Sequence, residues 1–433
     1  MDFDNVITAQ TGEMFILPEH EGSVEYEARA HLEGISEDQV DGLEPKDGYC
    51  PGGGVNNGVC TPEDYVRFDW MERYAGVRVL PIGEAILLGT HNSGFDKKAF
   101  PAPSSETCQD RPINDQLAWG VRSLDLRVEF FSASQGARRF RIFHNSTNNR
   151  TVETDVLRAL SEYRYYKGAH KEIVILNFHR FNKFTYAAHD ELRELIKRYL
   201  GKTIVPVACK EAAIVQLWAM GMNTVVSYNH TYRDASFWPG VQQRWIGKHT
   251  PSENEMANFI LRVAQENKGF GDLRAIQAAY YSLPFFVPKD LSRQLITWFS
   301  AWGDHAPIQG HYIINTDWSL RQRLADKVVY ANQRRAAARD LRIIESSTSS
   351  GSVVQTRAYG IFSILNGGSG ATLTFAANTS GSPSIQVITN LSDYARSISW
   401  AGQMRTINRN DCLVFRVPHG GTPTLLGTYN RYT

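Results

Sequence analysis

From about Leu80 to Arg342 the chain alternates short apolar runs with amphipathic stretches, and this alternation limits its fold more than any other feature. The runs Ala85–Leu88, Ser123–Val128, Arg141–Phe143, Ile173–Phe178, Thr224–Tyr228, Ala275–Tyr280 and Tyr312–Asn315 have the length and residue types of buried strands. Between them the period changes to that of a helix. Val152, Val156, Leu160 and Tyr163 share one face of a predicted helix over 152–166, and a second over 190–200 stops at Gly201. Strands joined through helices pair in parallel. Over roughly 260 residues the pattern predicts an α/β fold, a (β/α)8-like, TIM-type barrel with room for distortion.

The flanks differ in character. Residues 1–80 read as an acidic N-terminal extension: the first fifty residues hold 13 Asp and Glu against only Arg29 and Lys46. The barrel is assigned to 81–345. A polar low-complexity run, Ser346 to Ser352, reads as a linker. Beyond it, 353–433 alternates apolar and polar residues between Gly, Asn, Ser and Asp turns, as a small β-sandwich would, with strands expected at 359–365, 372–375, 384–388, 397–400 and 412–417.

Composition excludes several partners. The net charge of +1 provides no basic field for nucleic acid. No apolar run approaches the roughly 18 residues of a membrane span, so membrane contact is expected to be peripheral. A monomer is expected. The five cysteines fit no zinc spacing; Cys50 and Cys60 flank a glycine-rich loop in a way that admits a disulfide. The N-terminus lacks the basic and apolar regions of a signal peptide, which leaves a secreted protein whose leader lies outside this chain, or a cytoplasmic one.

Four segments carry polar chemistry at predicted strand ends. Leu88-Gly-Thr-His-Asn-Ser-Gly94 puts His91 after a strand between glycines that let the backbone approach a ligand. In Gly120-Val-Arg-Ser-Leu-Asp-Leu-Arg-Val128, Asp125 and Arg127 are two residues apart and share a strand face, either as a buried ion pair or as ligand contacts. Arg141-Ile-Phe-His-Asn145 supplies a second imidazole, His144. Lys171-Glu-Ile-Val-Ile-Leu-Asn-Phe-His-Arg180 ends an apolar strand in His179 and Arg180.

In order, spacing and residue type these segments resemble the X-domain of phosphatidylinositol-specific phospholipase C, in its bacterial, metal-independent form. Phe237-Trp-Pro-Gly240, Ile276-Gln-Ala-Ala279 and Ile313-Ile-Asn-Thr-Asp-Trp318 look like further counterparts, so the resemblance spans about 80–335. It implies that phosphatidylinositol, free or glycosylated, is cleaved to diacylglycerol and inositol 1,2-cyclic phosphate. His91 would be the general base, His144 the general acid, Arg127 the phosphate stabiliser, Asp125 a support for Arg127 or a nearby histidine, and Asp317 the carboxylate that orients His91. Two imidazoles suit this work because they titrate near neutrality, one accepting while the other donates. Asn92, His179, Arg180, Tyr228 and Gln277 are candidate substrate contacts. Most of the aromatic pairs Phe237-Trp238, Tyr280-Tyr281, Phe285-Phe286 and Trp298-Phe299 read as core, and the rest as a rim for a lipid interface.

The resemblance also bears on metal. The calcium ligands of eukaryotic X-domains fall here on Asn92, Asp125, Arg127 and His179, and Arg127 puts a positive charge where the ion would be. No cofactor is therefore expected; the alternative is calcium near Asn92 and Asp125. Two other functions remain open. One is a metal-dependent glycerophosphodiesterase-like enzyme, against which Asp125-Leu-Arg127 lacks the acidic pair such sites use. The other is a lipid- or glycan-binding, toxin-like protein with a vestigial barrel.

Overall fold

A computed structural model describes residues 55–56, 59–60, 66–301, 306–321, 323–338, 343–348, 352–354, 359–365, 373–375 and 383–431. Most of the acidic extension, and the Cys50–Cys60 pairing, lie outside the described residues. The first unit is built on a nine-stranded mixed sheet. Its strands are β1 (Leu87–Thr90), β2 (Ser123–Phe130), β3 (Phe140–Phe143), β4 (Thr147–Thr151), β5 (Val174–Asn182), β6 (Thr224–Tyr228), β7 (Gln242–Arg244), β8 (Arg274–Ala278) and β9 (Ile313–Thr316).

Seven of these strands run parallel. β7, β8, β9, β1, β2, β5 and β6 follow one another, each paired with the next in the same direction. Helices cover the sheet, so both strand faces are buried; Leu87 and Leu88 are 0% exposed although they point opposite ways. Sheet order follows sequence order, from β1 through β2, β5 and β6 and again from β7 to β9, with β9 joined to β1, and each crossover returns the chain in the same direction. All strand C-termini consequently gather at one end, where side chains from different strands can meet a ligand.

The expected alternation is interrupted at the third strand. β3 and β4 form an antiparallel hairpin, and β3 joins the far end of β2 through Val128–Ile142 and Phe130–Phe140. The predicted helix over 152–166 begins as a π-helix at Val152–Arg158 and continues as α-helix from Ala159 to Lys167. The helix ending at Leu200 starts earlier than the apolar period suggests, at Tyr186, because Thr185 caps it by accepting from the Ala188 N–H.

At the open side of the sheet β6 and β8 are bridged by one segment. The Trp238 N–H donates to Val226 O at 2.8 Å, and four residues later the Gln242 N–H donates to Leu273 O at 2.9 Å.

The second unit is a five-stranded sheet, in order β10 (Ile343–Thr348), β11 (Tyr359–Ile364), β12 (Ser384–Asn390), β13 (Asp411–Val417) and β14 (Thr424–Asn430). The first three strands are parallel and the last two antiparallel, a mixed sheet where a small β-sandwich was expected. β10 includes Ser346, Ser347 and Thr348, so part of the supposed linker is strand. Phe362, Ile388, Leu413 and Phe415 face a hairpin of Arg396–Trp400 with Gln403–Ile407. The opposite face, with Tyr359, Ile385, Val387 and Val414, is continuous with the core of the first unit. Gln216 ties the two together, donating to Gly360 O and Ile385 O at 3.0 and 2.9 Å.

Candidate active site

Strand register assembles the site. Thr90 pairs with Thr316 across β1 and β9, so the next residues, His91 and Asp317, emerge side by side. His91 Nδ1 lies 2.9 Å from Asp317 Oδ1. On the other side of the ring, Arg127 Nη2 lies 3.4 Å from Nε2. A guanidinium has only donors, so Nε2 presents its lone pair and Nδ1 carries the hydrogen given to Asp317. This tautomer leaves a basic nitrogen facing the mouth of the sheet. Gln109 holds the backbone underneath by donating to both His91 O and Thr316 O at 2.9 Å.

Asp125 and Arg127 share one face of β2, as their spacing requires, with Asp125 Oδ2 4.0 Å from Arg127 Nη2. Register between β2 and β5 shifts at Leu126–Arg127, where Leu126 pairs with Phe178 and Arg127 with Arg180. The extra residue in this β-bulge is His179, and the bulge aims it at Asp125, with Nδ1 3.1 Å from Oδ1. Burial opposes ionisation of Asp125, yet the charges of His179, Arg127 and His91 hold its carboxyl well below the usual range.

His144 follows β3 and faces His91 across the site, with ring centroids 6.4 Å apart and planes at 87°. Burial, reinforced by Arg127 and His91, pushes its pKa down to about 3. Among the described residues its buried Nδ1 has no hydrogen-bond partner, and it lies 3.8 Å from Glu106 Oε2. That carboxylate accepts from the Asn145 and Ser146 N–H groups and from the Ser146 hydroxyl, and so fixes the turn that presents His144.

The other predicted contacts divide. Asn92, in the left-handed region at φ 45°, directs its amide Nδ2 to Cys108 Sγ at 3.5 Å rather than to the mouth. Gln277 lies beside Asn315 in the register of β8 and β9. Arg180 is exposed, with its guanidinium 6.0 Å from the Phe143 ring and its charge felt at His144. Tyr228 lies apart: it is 0% exposed, and its hydroxyl is engaged with His189 Nδ1 at 2.7 Å. It faces the covering helix, so the structure corrects its assignment as a substrate contact. Of the aromatic pairs, Phe237, Trp238 and Phe299 are core, whereas Phe285 and Phe286 are exposed on the tip of a hairpin that follows β8.

Glu106, Cys108 and Gln109 carry no motif, and sequence reasoning passed over them. They sit in the irregular loop after His91, where periodicity has nothing to report. Tyr281 was read only as aromatic bulk; burial and then the nearby Cys108 and Asp317 push its phenol up.

The chain is thus a mixed α/β protein with a histidine, arginine and carboxylate cluster at the C-terminal ends of parallel strands. No family model and no curated protein matches it. Among solved structures it is similar to a mutant of phosphatidylinositol-specific phospholipase C from Staphylococcus aureus, at 12% identity and a TM-score of 0.48, covering 61% of this chain and 98% of that one. The phosphatidylinositol-specific phospholipase C from Listeria monocytogenes is similar at 15% identity and a TM-score of 0.46, covering 61% of this chain and 98% of that one.

Proposed function

We propose that the protein cleaves phosphatidylinositol, or its glycosylated form, by intramolecular attack of the inositol 2-hydroxyl on phosphorus, releasing diacylglycerol and inositol 1,2-cyclic phosphate. The observation that carries this reading is the chain Asp317–His91–Arg127 set opposite His144. His91 Nε2 takes the hydroxyl proton, and Asp317 stabilises the imidazolium that forms. Arg127 meets the charge growing on the non-bridging oxygens. His144 protonates the departing glycerol oxygen. Burial is the main cause of its low pKa and the Arg127 charge the next, so the role requires the bound phosphodiester's negative charge to outweigh both. Reversal of the two imidazoles opens the cyclic product with water.

This reading needs no calcium. The Asp125 oxygens already serve His179, the Asn92 N–H and Arg127, and calcium asks for about six to eight oxygens. The substrate class is further supported by Leu283, Phe285 and Phe286, which are 64%, 77% and 49% exposed on the hairpin beyond β8 and suit a lipid surface. We also read the parallel sheet as a distorted barrel, on the strength of the bridge that residues 238–244 make between β6 and β8.

The test is release of diacylglycerol from phosphatidylinositol vesicles. Wild type should be active, and His91→Ala and His144→Ala should each lose about 10² to 10⁴ in kcat. Full activity in either variant would overturn the assignment of base and acid.

A further inference from the structure

Cys108, at the base of the site, has no part in the proposed reaction. Its backbone is bolted to both halves of the base assembly: the Cys108 N–H donates to Phe95 O at 2.9 Å, and Cys108 O accepts from the Trp318 N–H at 2.8 Å. The thiol donates to Glu106 O at 3.3 Å and accepts from Asn92 Nδ2 at 3.5 Å. One donor atom each from His91, Cys108 and Asp317 lies within 4.8 Å of the others. Two further oxygens in this cluster, Asp317 Oδ2 and Asn92 Oδ1, are buried without a hydrogen-bond partner among the described residues. Asp317 and Asn92 are only 4% and 3% exposed, so these acceptors are withdrawn from water, and the Asp317 carboxylate lies close enough to the Cys108 thiol to share its hydrogen.

The geometry points to a site for a borderline-soft divalent cation of the zinc class, held by Cys108 Sγ, His91 Nδ1 and Asp317 Oδ2, with Asn92 Oδ1 able to complete a tetrahedron once its amide, whose Nδ2 faces Cys108 Sγ, turns over. A thiolate and an imidazole select zinc or cadmium over magnesium or calcium, which demand oxygen. One thiolate and one carboxylate balance a charge of +2. Arg127 does not oppose this cation as it would one at the mouth, because it contacts Nε2 and the cluster lies on the Nδ1 side of the ring. Ligand separations must contract by about 1 Å to reach zinc distances, a movement within reach of the Cys108 and Asp317 side chains.

Binding has a defined proton balance. The thiol gives up its hydrogen to solvent. His91 changes tautomer, its Nδ1 hydrogen leaving as the metal bonds there and Nε2 gaining one, so one proton is released per cation. Nε2 then carries a hydrogen, so it gives up its contact with Arg127, which can only donate, and cannot act as a base. The site exists whether or not the proposed reaction is correct; only the inhibition that follows rests on that reading.

Calorimetry of zinc chloride with the full-length protein tests the site itself. One zinc should bind at this cluster with release of one proton, seen in the dependence of the heat on buffer. Cys108→Ser should weaken that binding at least tenfold, while Cys209→Ser and Cys412→Ser leave it unchanged. Cadmium should give a near-ultraviolet thiolate charge-transfer band in wild type and lose it in Cys108→Ser. If Cys108→Ser does not fold, histidine-labelled wild type serves: zinc must shift the signals of His91, assigned with His91→Gln. Wild-type zinc affinity in Cys108→Ser, a retained cadmium band, or unmoved His91 signals would overturn the proposal. In the vesicle assay, zinc should abolish turnover and EDTA restore it. A chain that binds zinc through Cys108 but never hydrolyses lipid would sink the proposed function and leave the cation site standing.

Discussion

Each imidazole at the mouth has a carboxylate beside its Nδ1: Asp317 for His91, Asp125 for His179 and Glu106 for His144. The contacts to His91 and His179 are hydrogen bonds, whereas Glu106 at 3.8 Å stands just short of one. Closure of that gap on substrate would favour the protonated, acidic form of His144. Glu106→Gln keeps an acceptor for the Ser146 turn but removes the charge, so the pKa of His144 in the complex should fall. Because the proposed reaction requires protonated His144, the alkaline limb of the kcat profile should move to lower pH, by roughly 0.5 to 1 unit; an unmoved limb would deny Glu106 this positioning role. The clustering of His91, His144, Arg127, Asp125 and Asp317 was legible in the sequence because each lies at or near the end of an apolar strand within a recognisable motif; their roles belong to the proposed reaction. Tyr228 shows the limit of such reading. A strand end places a residue at the right height, but only packing decides whether it faces the mouth or the covering helix.

Among the elements, parallel strands were the easiest to find, since burial on both faces makes them continuous apolar runs. β7 is short and polar (Gln-Gln-Arg), and β10 is rich in serine, so neither has that signature; both exist because a neighbouring edge offers hydrogen bonds. The hairpin of β3 and β4 was half seen, since strand pattern alone does not tell parallel from antiparallel. The close approach of β1 to β9 makes a specific demand at Gly89. A Cβ there would overlap the Asn315 side chain, whose Oδ1 is already buried without a partner. Gly89→Ala should therefore cost about 1 to 3 kcal/mol in urea unfolding, and adding Asn315→Ala should recover part of it. A neutral Gly89→Ala would mean that β1 and β9 are less tightly apposed than described.

At the scale of the whole molecule, the second sheet is part of the first unit's core and not an appendage on a tether. Polar composition suggested a linker at 346–352, but composition cannot report that Ile385, Val387 and Val414 face inward across it. Removal of residues 343–433 should expose that apolar face and yield insoluble protein or a sharply lower melting temperature. Recovery of an equally stable truncated chain would contradict the shared core. Acid should also weaken the fold earlier than carboxylates alone require. His144 and His311 are held neutral by burial, with pKa values pushed down to about 3. Below about pH 6.5 the unfolded imidazoles bind protons that the folded ones refuse, so stability falls from there toward pH 3. Near pH 5 each imidazole should cost up to about 2 kcal/mol. His144→Ala should flatten its share of that decline in denaturant midpoints measured from pH 7 to 5.

The central claim joins a cyclising mechanism to an arginine that makes calcium unnecessary, and ³¹P NMR of phosphatidylinositol hydrolysis in excess EDTA tests both parts at once. The account predicts that inositol 1,2-cyclic phosphate appears first, at a rate unchanged by the chelator, and is then slowly opened. Turnover only after calcium is added, or an acyclic inositol phosphate with no cyclic precursor, would contradict it.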